Sequence, residues 1–487
     1  MRTLRTLTRR DLLRGASGVT AYAALGGCTS SPTPLDASND APLDTSPDAF
    51  TPNAAPGMPG HRPRSDLPEG ADTMPQIEHV VVVMMENHSF DNYFGMLDPS
   101  VGFALDAMGQ PTAACPDGMG HHIRAFRMPS TCQANGSPSQ AWNASHISYA
   151  NGANDGFVLA SGPVAMGYWT SADLPFYDSL ARSYTLASRW FGSTLCQTYP
   201  NRRFLLAGTA AGIISTDGTA LGAPTPAGGT IVDRLNAHGI TWRDYASDLP
   251  GIAIIPQLYR EHRANTSTIA RFMTDCAAGT LPSVSFVDPP FSADGSEENP
   301  QDVRVGERFV SQVVNAVTSG PGWARTVLIW LYDEHGGYYD HVPPPAAIPP
   351  DDIPPMLPMG SLPGVYDRYG FRVPAVIVSP FAKPGFVSNA VRDHTAVLRF
   401  IETKWNLGAL TRRDAVADDL SDCFDFTTPR LLTPPRLAAP ALANPMAAMC
   451  TPGMPGVIPP PSAVILGANE RRYTNMGRAL AELMRLA

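Results

Sequence analysis

Two stretches of the chain are almost uninterruptedly apolar, and each ends abruptly in polar side chains. The first covers residues 77–85 (IEHVVVVMM), and the second covers residues 327–331 (VLIWL). Apolar runs without polar alternation are typical of strands covered on both faces of a parallel sheet, although they also occur in buried helices. Two glycines follow the second run at once and no helical stripe continues. We therefore predict a buried strand in both places.

Other patterns predict a single large α/β domain around these strands. Residues 305–317 have helical spacing, and residues 230–244 look like a helix followed by a strand. Two further strands are expected at 281–288 and 373–379. The closing segment 469–486 is typical of an amphipathic helix.

The first 28 residues are predicted to be a targeting segment rather than part of the fold. Arg9 and Arg10 form the pair of a twin-arginine export signal, and a short apolar stretch follows at 16–25. That stretch is too short to be a permanent membrane anchor. Residues 25–28 (LGGC) resemble a lipoprotein cleavage box, so Cys28 is expected to carry a lipid. The alternative is a soluble protein cleaved nearby. Either way, the expected location is the periplasm, cell envelope or cell surface.

Composition divides the remainder into three parts. Residues 29–75 are rich in Pro, Ser and Asp and are predicted to be a disordered linker. Residues 76–426 contain the folded domain. Residues 427–487 are predicted to be a proline-rich wrap over the domain followed by the terminal helix.

Six cysteines remain after Cys28, an even number in a chain that appears to be exported, so disulfides are expected. The pairs closest in sequence are Cys115 with Cys132 and Cys423 with Cys450, and we favour these. The formal net charge of -9 argues against a nonspecific nucleic-acid binder and against electrostatic adsorption to anionic lipid.

Oxygen donors follow both apolar runs. Glu86 and Asn87 come directly after the first, and Asp333 and Glu334 come just after the second. Ligands bind beyond the carboxyl ends of strands in open α/β sheets, and these oxygens suit a divalent cation. Alternatively, the acids only cap turns.

A third segment offers a nucleophile. Thr198 lies just before a helix predicted to begin near Pro200, because proline is favoured in the first helical turn. The unpaired N–H groups at a helix N-terminus suit a phosphate and a developing alkoxide. A threonine hydroxyl needs a base or a metal ion to become a nucleophile, and the residue could instead simply help to cap the helix.

These segments carry a resemblance to a known family. They are VVVVMMENHSFDNYFG at 80–95, the TxPNR run at 198–202 and YDEHGGYYDHVPPP at 332–345, joined by WNASH at 142–146, NDGF at 154–157 and DHT at 393–395. Together they resemble the bacterial phosphoesterase family that includes phospholipases C and a group of acid phosphatases. The blocks occur in the family's order over roughly residues 76–425.

The resemblance implies a fold and a site. The fold is expected to be alkaline-phosphatase-like, a central mostly parallel sheet sandwiched between helices. Residues 76–426 would be the phosphoesterase catalytic domain. One divalent ion, of unknown identity, would be bound by Glu86, Asn87, Thr198, Asp333 and Glu334. Thr198 would then attack phosphorus and form a phosphothreonine that water hydrolyses.

Supporting roles are assigned around this centre. His146 and His341 are the leading candidates for proton transfer, ahead of His335 and His394. We predict that Asn201 and Arg202 hold phosphate oxygens, since guanidinium matches phosphate geometry.

Two positions depart from the family pattern: Gln140 and Asn299 stand where many relatives have histidine. The departures put the choice of substrate in doubt, but they leave the metal ligands intact. The expected function is that of an exported metal-dependent phosphoesterase of phospholipase C type, acting on phospholipids. Two alternatives remain, an acid phosphatase acting on phosphomonoesters and a non-catalytic surface lipoprotein that keeps the fold.

Overall fold

The structure is a computed structural model that describes residues 53–132, 138–218, 220–223, 225–291, 295–299 and 301–441. Its strands are β1 (His79–Met85), β2 (Ala114–Pro116), β3 (His122–Arg124), β4 (Phe126–Arg127), β5 (Gly167–Tyr168), β6 (Thr185–Ala187), β7 (Trp242–Ala246), β8 (Thr266–Thr268), β9 (Val284–Val287), β10 (Thr326–Tyr332), β11 (Ala375–Val378) and β12 (Val387–Ser388). Its α-helices are α1 (Phe90–Phe94), α2 (Trp142–Tyr149), α3 (Phe157–Ser161), α4 (Pro175–Ser183), α5 (Thr198–Ala207), α6 (Ile231–Ala237), α7 (Pro256–His262), α8 (Ile269–Ala278), α9 (Val303–Ser319) and α10 (Thr395–Trp405).

Eight of the strands form one sheet in the order β12-β6-β11-β10-β1-β9-β7-β8. The five strands from β10 to β8 are parallel to one another, and β12 is parallel to β6. Only β11 runs antiparallel to its two neighbours, β10 and β6. The predicted mostly parallel sheet is therefore confirmed.

The centre of this sheet is covered on both faces. Every residue of β10 is buried, and in β1 only His79 at the start is partly exposed. Successive side chains of a strand point to opposite faces, so burial of all of them requires cover on both sides. The helices supply it in two groups, α9 with α8 and α4, and α5 with α10 and α6. This confirms the predicted α/β class, with a sheet sandwiched between helices.

The N-terminal boundary of the folded part lies earlier than predicted. Residues 53–75 were expected to belong to a disordered linker, but they pack against the domain. The Gly60 amide donates to the Ala409 carbonyl at 2.7 Å. The Asn406 side-chain amide donates to the carbonyls of Leu67 and Pro68. Composition alone missed these contacts because one asparagine of the domain satisfies the backbone of the incoming segment.

At the other end, residues 427–441 form no helix or strand, as their proline content predicts. They lie along the domain surface. The Trp323 indole donates to the Leu431 carbonyl at 3.1 Å, and the Ala441 amide donates to Glu307 at 3.3 Å. The predicted targeting segment, the terminal helix at 469–486, Cys28 and Cys450 lie outside the described residues.

The cysteine pairing predicted from sequence proximity is wrong. Cys115 and Cys423 carry free, buried thiols, which excludes both favoured pairs. The reason is packing: Cys115 lies in a small apolar cluster around Phe157, whereas Cys423 lies in the main core. None of the helices that the structure describes is both long and apolar enough to cross a membrane.

Candidate active site

The sheet register brings the two predicted groups of oxygen donors together. β1 and β10 are adjacent and parallel, with Met85 opposite Tyr332. The residues that follow, Glu86 after β1 and Asp333 after β10, therefore also lie side by side. The Asn87 amide donates to the Asp333 carboxylate at 3.2 Å, which ties the two strand ends directly. Segments about 250 residues apart in sequence thus form one edge of a site.

A tight backbone contact fixes the turn at this edge. Asn87 has a φ of +69° and Gly336 a φ of +65°, both in the left-handed region. A Cβ atom at Gly336 would overlap the carbonyl oxygen of Asn87. Glycine is therefore required here both by its φ angle and by the approach of the neighbouring chain.

The third element is the N-terminus of α5. This helix begins at Thr198 itself, with Gln197 as its flanking residue, so Thr198 lies in the first turn rather than before it. Arg202 lies four residues later on the same helical face and donates to the Asp333 carboxylate at 3.0 Å. Burial raises the pKa of Tyr199, and the nearby charge of Glu86 raises it further. The start of α5 is thereby placed against both strand ends.

The donor set fits a divalent metal ion. Three of the proposed ligands each have a buried oxygen without a hydrogen-bond partner among the described residues: Asn87 Oδ1, Thr198 Oγ1 and Glu334 Oε1. A buried polar atom without a partner costs about 1–3 kcal/mol, so three at one place need an explanation. The side chains of Glu86 and Asp333 are also fully buried beside them. Carboxylate, amide and hydroxyl oxygens are the ligands that hard divalent cations take.

The electrostatics of the cluster support this reading. Burial raises the pKa of Glu334 well above its usual value, and the charges of Asp333, Glu86 and Glu298 raise it further. Burial also raises the pKa of Asp333, although Arg202 partly offsets this. Several buried carboxylates beside a single arginine would favour taking up protons. A divalent cation stabilises their ionised form instead.

Arg202 is held by several acceptors of the protein itself. Its guanidinium is buried and donates to Asp333, to Asp288 at 3.3 Å, and to the carbonyls of Met84 at 3.2 Å and Met85 at 3.0 Å. It therefore joins α5 to the ends of β1, β9 and β10. These bonds give Arg202 a positioning role, because its fork of N–H donors already has protein acceptors. Its predicted contact with phosphate stays a prediction.

Asn201 has a similar role inside the loop before α5. Its side-chain oxygen accepts from the amides of Ser193 and Thr194, and its side-chain NH2 donates to the carbonyls of Cys196 and Gln197. These bonds shape the chain that leads into Thr198. Asn201 thus holds the loop in shape, and its predicted contact with phosphate stays a prediction.

Two of the four histidines are buried and neutral. The Nε2–H of His394 donates to the Asp333 carbonyl at 2.7 Å, and burial lowers the pKa of this histidine to about 4. Burial lowers the pKa of His335 to about 3, and this ring lies 3.5 Å from the Glu334 carboxylate. Both rings therefore contact residues proposed to hold the metal, His394 through the backbone of Asp333 and His335 through the carboxylate of Glu334.

His146 lies on α2, where its Nδ1 is 2.7 Å from the Trp142 carbonyl and its pKa is lowered by burial. It borders a cavity of about 580 Å³ that Leu195 and Gly364 also line. Among the described residues no hydrogen bond joins it to Thr198. Its predicted catalytic role stays a prediction.

His341 belongs to a charged group that the sequence did not reveal. Its Nδ1 is 2.7 Å from Asp91, and Asp340 completes a candidate metal-binding group whose ligand atoms lie within 4.8 Å of one another. Arg372 donates to Asp340 at 2.8 Å and to Asp91 at 3.0 Å, so a guanidinium already neutralises this group. Burial lowers the pKa of His341, but the bond to Asp91 and the two carboxylate charges raise it overall.

Sequence reasoning also missed the pair Glu297 and Glu298. Glu298 is close enough to Glu334 to raise its pKa, and Glu297 accepts hydrogen bonds from Tyr93, Tyr177 and Tyr332. The only sequence signal was two adjacent acids beside the unusual Asn299. That residue accepts from the hydroxyl of Tyr338 at 3.0 Å.

Comparison with known proteins agrees with the geometry. The model of the phosphoesterase family matches residues 77–408. Phospholipase C A of Mycobacterium tuberculosis is 30% identical over 434 residues, which cover 78% of this chain and 83% of that protein. Non-hemolytic phospholipase C of Pseudomonas aeruginosa is 31% identical over 435 residues, which cover 77% of this chain and 60% of that protein.

Among solved structures, a protein in the alkaline phosphatase superfamily from Vibrio parahaemolyticus aligns with a TM-score of 0.39 at 10% identity, covering 76% of this chain and 74% of that one. The family match extends over most of the described domain and includes both strand ends and the start of α5. The chain belongs to the phosphoesterase family and is a phosphoric ester hydrolase.

Proposed function

We propose that this protein is a metal-dependent phosphoesterase of phospholipase C type, in which Thr198 is the nucleophile. The observation that carries the proposal is the meeting of β1, β10 and α5, which leaves three buried oxygen atoms without protein partners. The phospholipases C among its relatives support the substrate class.

The site has the parts that an in-line displacement needs. A divalent ion held by Glu86, Asn87, Thr198, Asp333 and Glu334 would lower the pKa of the threonine hydroxyl and neutralise charge on the phosphate. The Thr198 oxygen bonds to phosphorus while the bond to the glycerol oxygen breaks, which leaves a phosphothreonine. Water then attacks phosphorus and releases the phosphorylated head group, restoring the hydroxyl.

The residues around Thr198 position it and serve the leaving group. Arg202 and Asn201 hold α5 and the loop before it in place, and thereby position the residue that carries the hydroxyl. We assign proton donation to the leaving alcohol to His341, whose pKa is raised and whose side chain is one-third exposed. His146 is kept as a second candidate for proton transfer at the cavity beside α2.

The test is a Thr198→Ala variant assayed against phosphatidylcholine and p-nitrophenyl phosphate in parallel. We expect it to lose essentially all turnover while it still folds, and we expect Thr198→Ser to retain part of it. Thr209 provides a matched control, because it is a buried threonine just beyond the other end of α5. Thr209→Ala should keep its turnover. Wild-type activity in Thr198→Ala would exclude this nucleophile, and preference for the monoester would change the substrate to a phosphomonoester.

We further propose that the protein is exported by the twin-arginine route and carries a lipid at Cys28. The support is the pair Arg9 and Arg10 ahead of a short apolar stretch and the LGGC box. Replacing both arginines by lysine should block export in a fractionation experiment. Cys28→Ser should abolish labelling with a radioactive fatty acid.

A further inference from the structure

One loop beside the candidate site has an unusual surface. Residues 353–365, with the sequence IPPMLPMGSLPGV, contain no charged residue. Ten of these thirteen residues are exposed. Six of them are large apolar residues. Their exposed fractions are 104% for Met359, 57% for Met356, 52% for Val365, 42% for Ile353, 38% for Leu357 and 37% for Leu362. We call residues 353–365 the apolar loop.

Hydrogen bonds to the rest of the protein hold the apolar loop in place. The Trp142 indole donates to the Leu362 carbonyl at 2.9 Å, and the Asn143 side chain bonds both the Leu362 amide and the Gly360 carbonyl. The Met356 amide donates to the Gly212 carbonyl at 2.8 Å. The loop therefore presents its apolar side chains outward in a fixed shape. Isolated exposed apolar residues are ordinary, but a contiguous set of this kind marks an interaction surface.

The loop is also connected to the candidate site at both ends. His341, which follows Asp340, lies only twelve residues before the first residue of the loop. Its other end lines the cavity of about 580 Å³ together with His146 and Leu195, and Leu195 is three residues from Thr198. A partner bound to the apolar loop would be held next to the residues proposed to perform the chemistry.

We propose that the apolar loop docks on a zwitterionic phospholipid surface and inserts its side chains among the lipids. This inference rests on the proposed function, because a substrate that stays in a bilayer must be reached from its surface. The charges favour zwitterionic lipid: the loop has no lysine or arginine, it is bordered by Asp351 and Asp352, and the chain carries a net charge of -9. Anionic lipid would be repelled by such a surface, whereas apolar insertion needs no charge.

The experiment measures sedimentation with phosphatidylcholine vesicles. The full chain carries Cys28→Ser, which removes any lipid anchor, and Thr198→Ala, which prevents consumption of the vesicles. The test variant adds Met356→Ser, Leu357→Ser and Met359→Ser. The control instead adds Met108→Ser and Met119→Ser, which replace two methionines that are 79% exposed outside the loop.

We expect the parent and the control to bind the vesicles equally, and the loop variant to bind at least about 100-fold more weakly. Transfer of each large apolar side chain from water to an apolar environment changes an affinity by roughly tenfold. Binding should also weaken when phosphatidylglycerol is added. Equal binding by the loop variant would overturn the proposal. So would a parent that does not bind, which would point to a protein partner for this surface.

A second assay separates this proposal from the proposed function. With Thr198 intact, the loop variant should hydrolyse the soluble ester p-nitrophenylphosphorylcholine at the parent rate but lose turnover on vesicles. Vesicle binding through the loop by a chain that hydrolyses no phospholipid would refute the proposed substrate and leave the docking surface standing. If the loop variant hydrolyses vesicles at the parent rate, the docking surface alone would be refuted.

Discussion

Replacement of Arg202 distinguishes a positioning role from phosphate binding. The guanidinium makes four hydrogen bonds inside the protein, two of them to the buried carboxylates of Asp333 and Asp288. Arg202→Met keeps an unbranched but shorter side chain and removes every donor. Two carboxylates then lose their cation, and two strand carbonyls each lose one donor. Breaking a buried ion pair costs about 3–5 kcal/mol.

The expected loss is large compared with the whole stability of a domain, which is about 5–15 kcal/mol. Urea unfolding at pH 7, at a fixed concentration of divalent metal, should therefore show a midpoint far below that of the wild type. Arg202→Lys tests the same idea in a protein that is easier to fold. It keeps the charge but cannot span four acceptors, so a smaller loss of stability is expected.

The kinetics of Arg202→Lys should change in a characteristic way. Because Arg202 fixes the helix that carries Thr198, kcat should fall by about 100-fold, the effect of displacing a reacting group by roughly 1 Å. KM should change little. Arg412→Met is the matched control, since Arg412 pairs with Asp352 at the surface and exposed ion pairs contribute little. A stable Arg202→Met protein with a raised KM and an unchanged kcat would refute the positioning role and restore phosphate binding.

Two further predictions concern the metal and a buried acid. Removing divalent ions with a chelator should abolish turnover and lower Tm, because bound metal at 100 times its Kd stabilises the fold by about 2.7 kcal/mol; unchanged activity and Tm would contradict the metal site. Burial raises the pKa of Glu297 from 4.5 to about 8. The folded state then holds an extra proton between these values, so the free energy of unfolding should fall by about 1.4 kcal/mol per pH unit across that range. Glu297→Gln, measured by urea unfolding from pH 5 to pH 8, should remove this component, and identical slopes in both proteins would disprove it.

The strands at the centre of the fold could be predicted because their signal is local. An unbroken apolar run such as VLIWL needs cover on both faces, and β10 and β1 are buried as that pattern requires. The polar residues after each run could likewise be assigned to the strand ends. Their meeting at one edge follows from parallel pairing, which the alternation of strands and helices already indicated.

Side chains whose role depends on a distant partner could not be predicted. Arg202 suits a phosphate by residue type, and only the fold shows that Asp333 and Asp288 surround it. The same holds for Arg372, which neutralises Asp91 and Asp340 from another part of the chain. Nothing in the local sequence of these arginines distinguishes one that forms buried ion pairs from one that binds a ligand.

Proximity in sequence was also a poor guide to cysteine pairing and to the start of the domain. Cys115 and Cys423 lie in separate apolar surroundings and carry free thiols, so neither forms its predicted pair. Residues 53–75 look like a linker by composition, but their backbone is bound by Asn406. The start of the domain depends on contacts between residues more than 300 positions apart, and the cysteine pairing depends on packing. Composition reports neither.

The side-by-side pairing of β1 and β10 has a consequence for how activity arises during folding. Glu86 and Asp333 are 247 positions apart, so the ion site requires a loop closure that is among the slow steps of folding. A chain emerging from the ribosome cannot assemble the site before Asp333 and Glu334 have been made. Recovery of turnover in a refolding experiment should therefore coincide with the late, cooperative phase and not with early formation of helices.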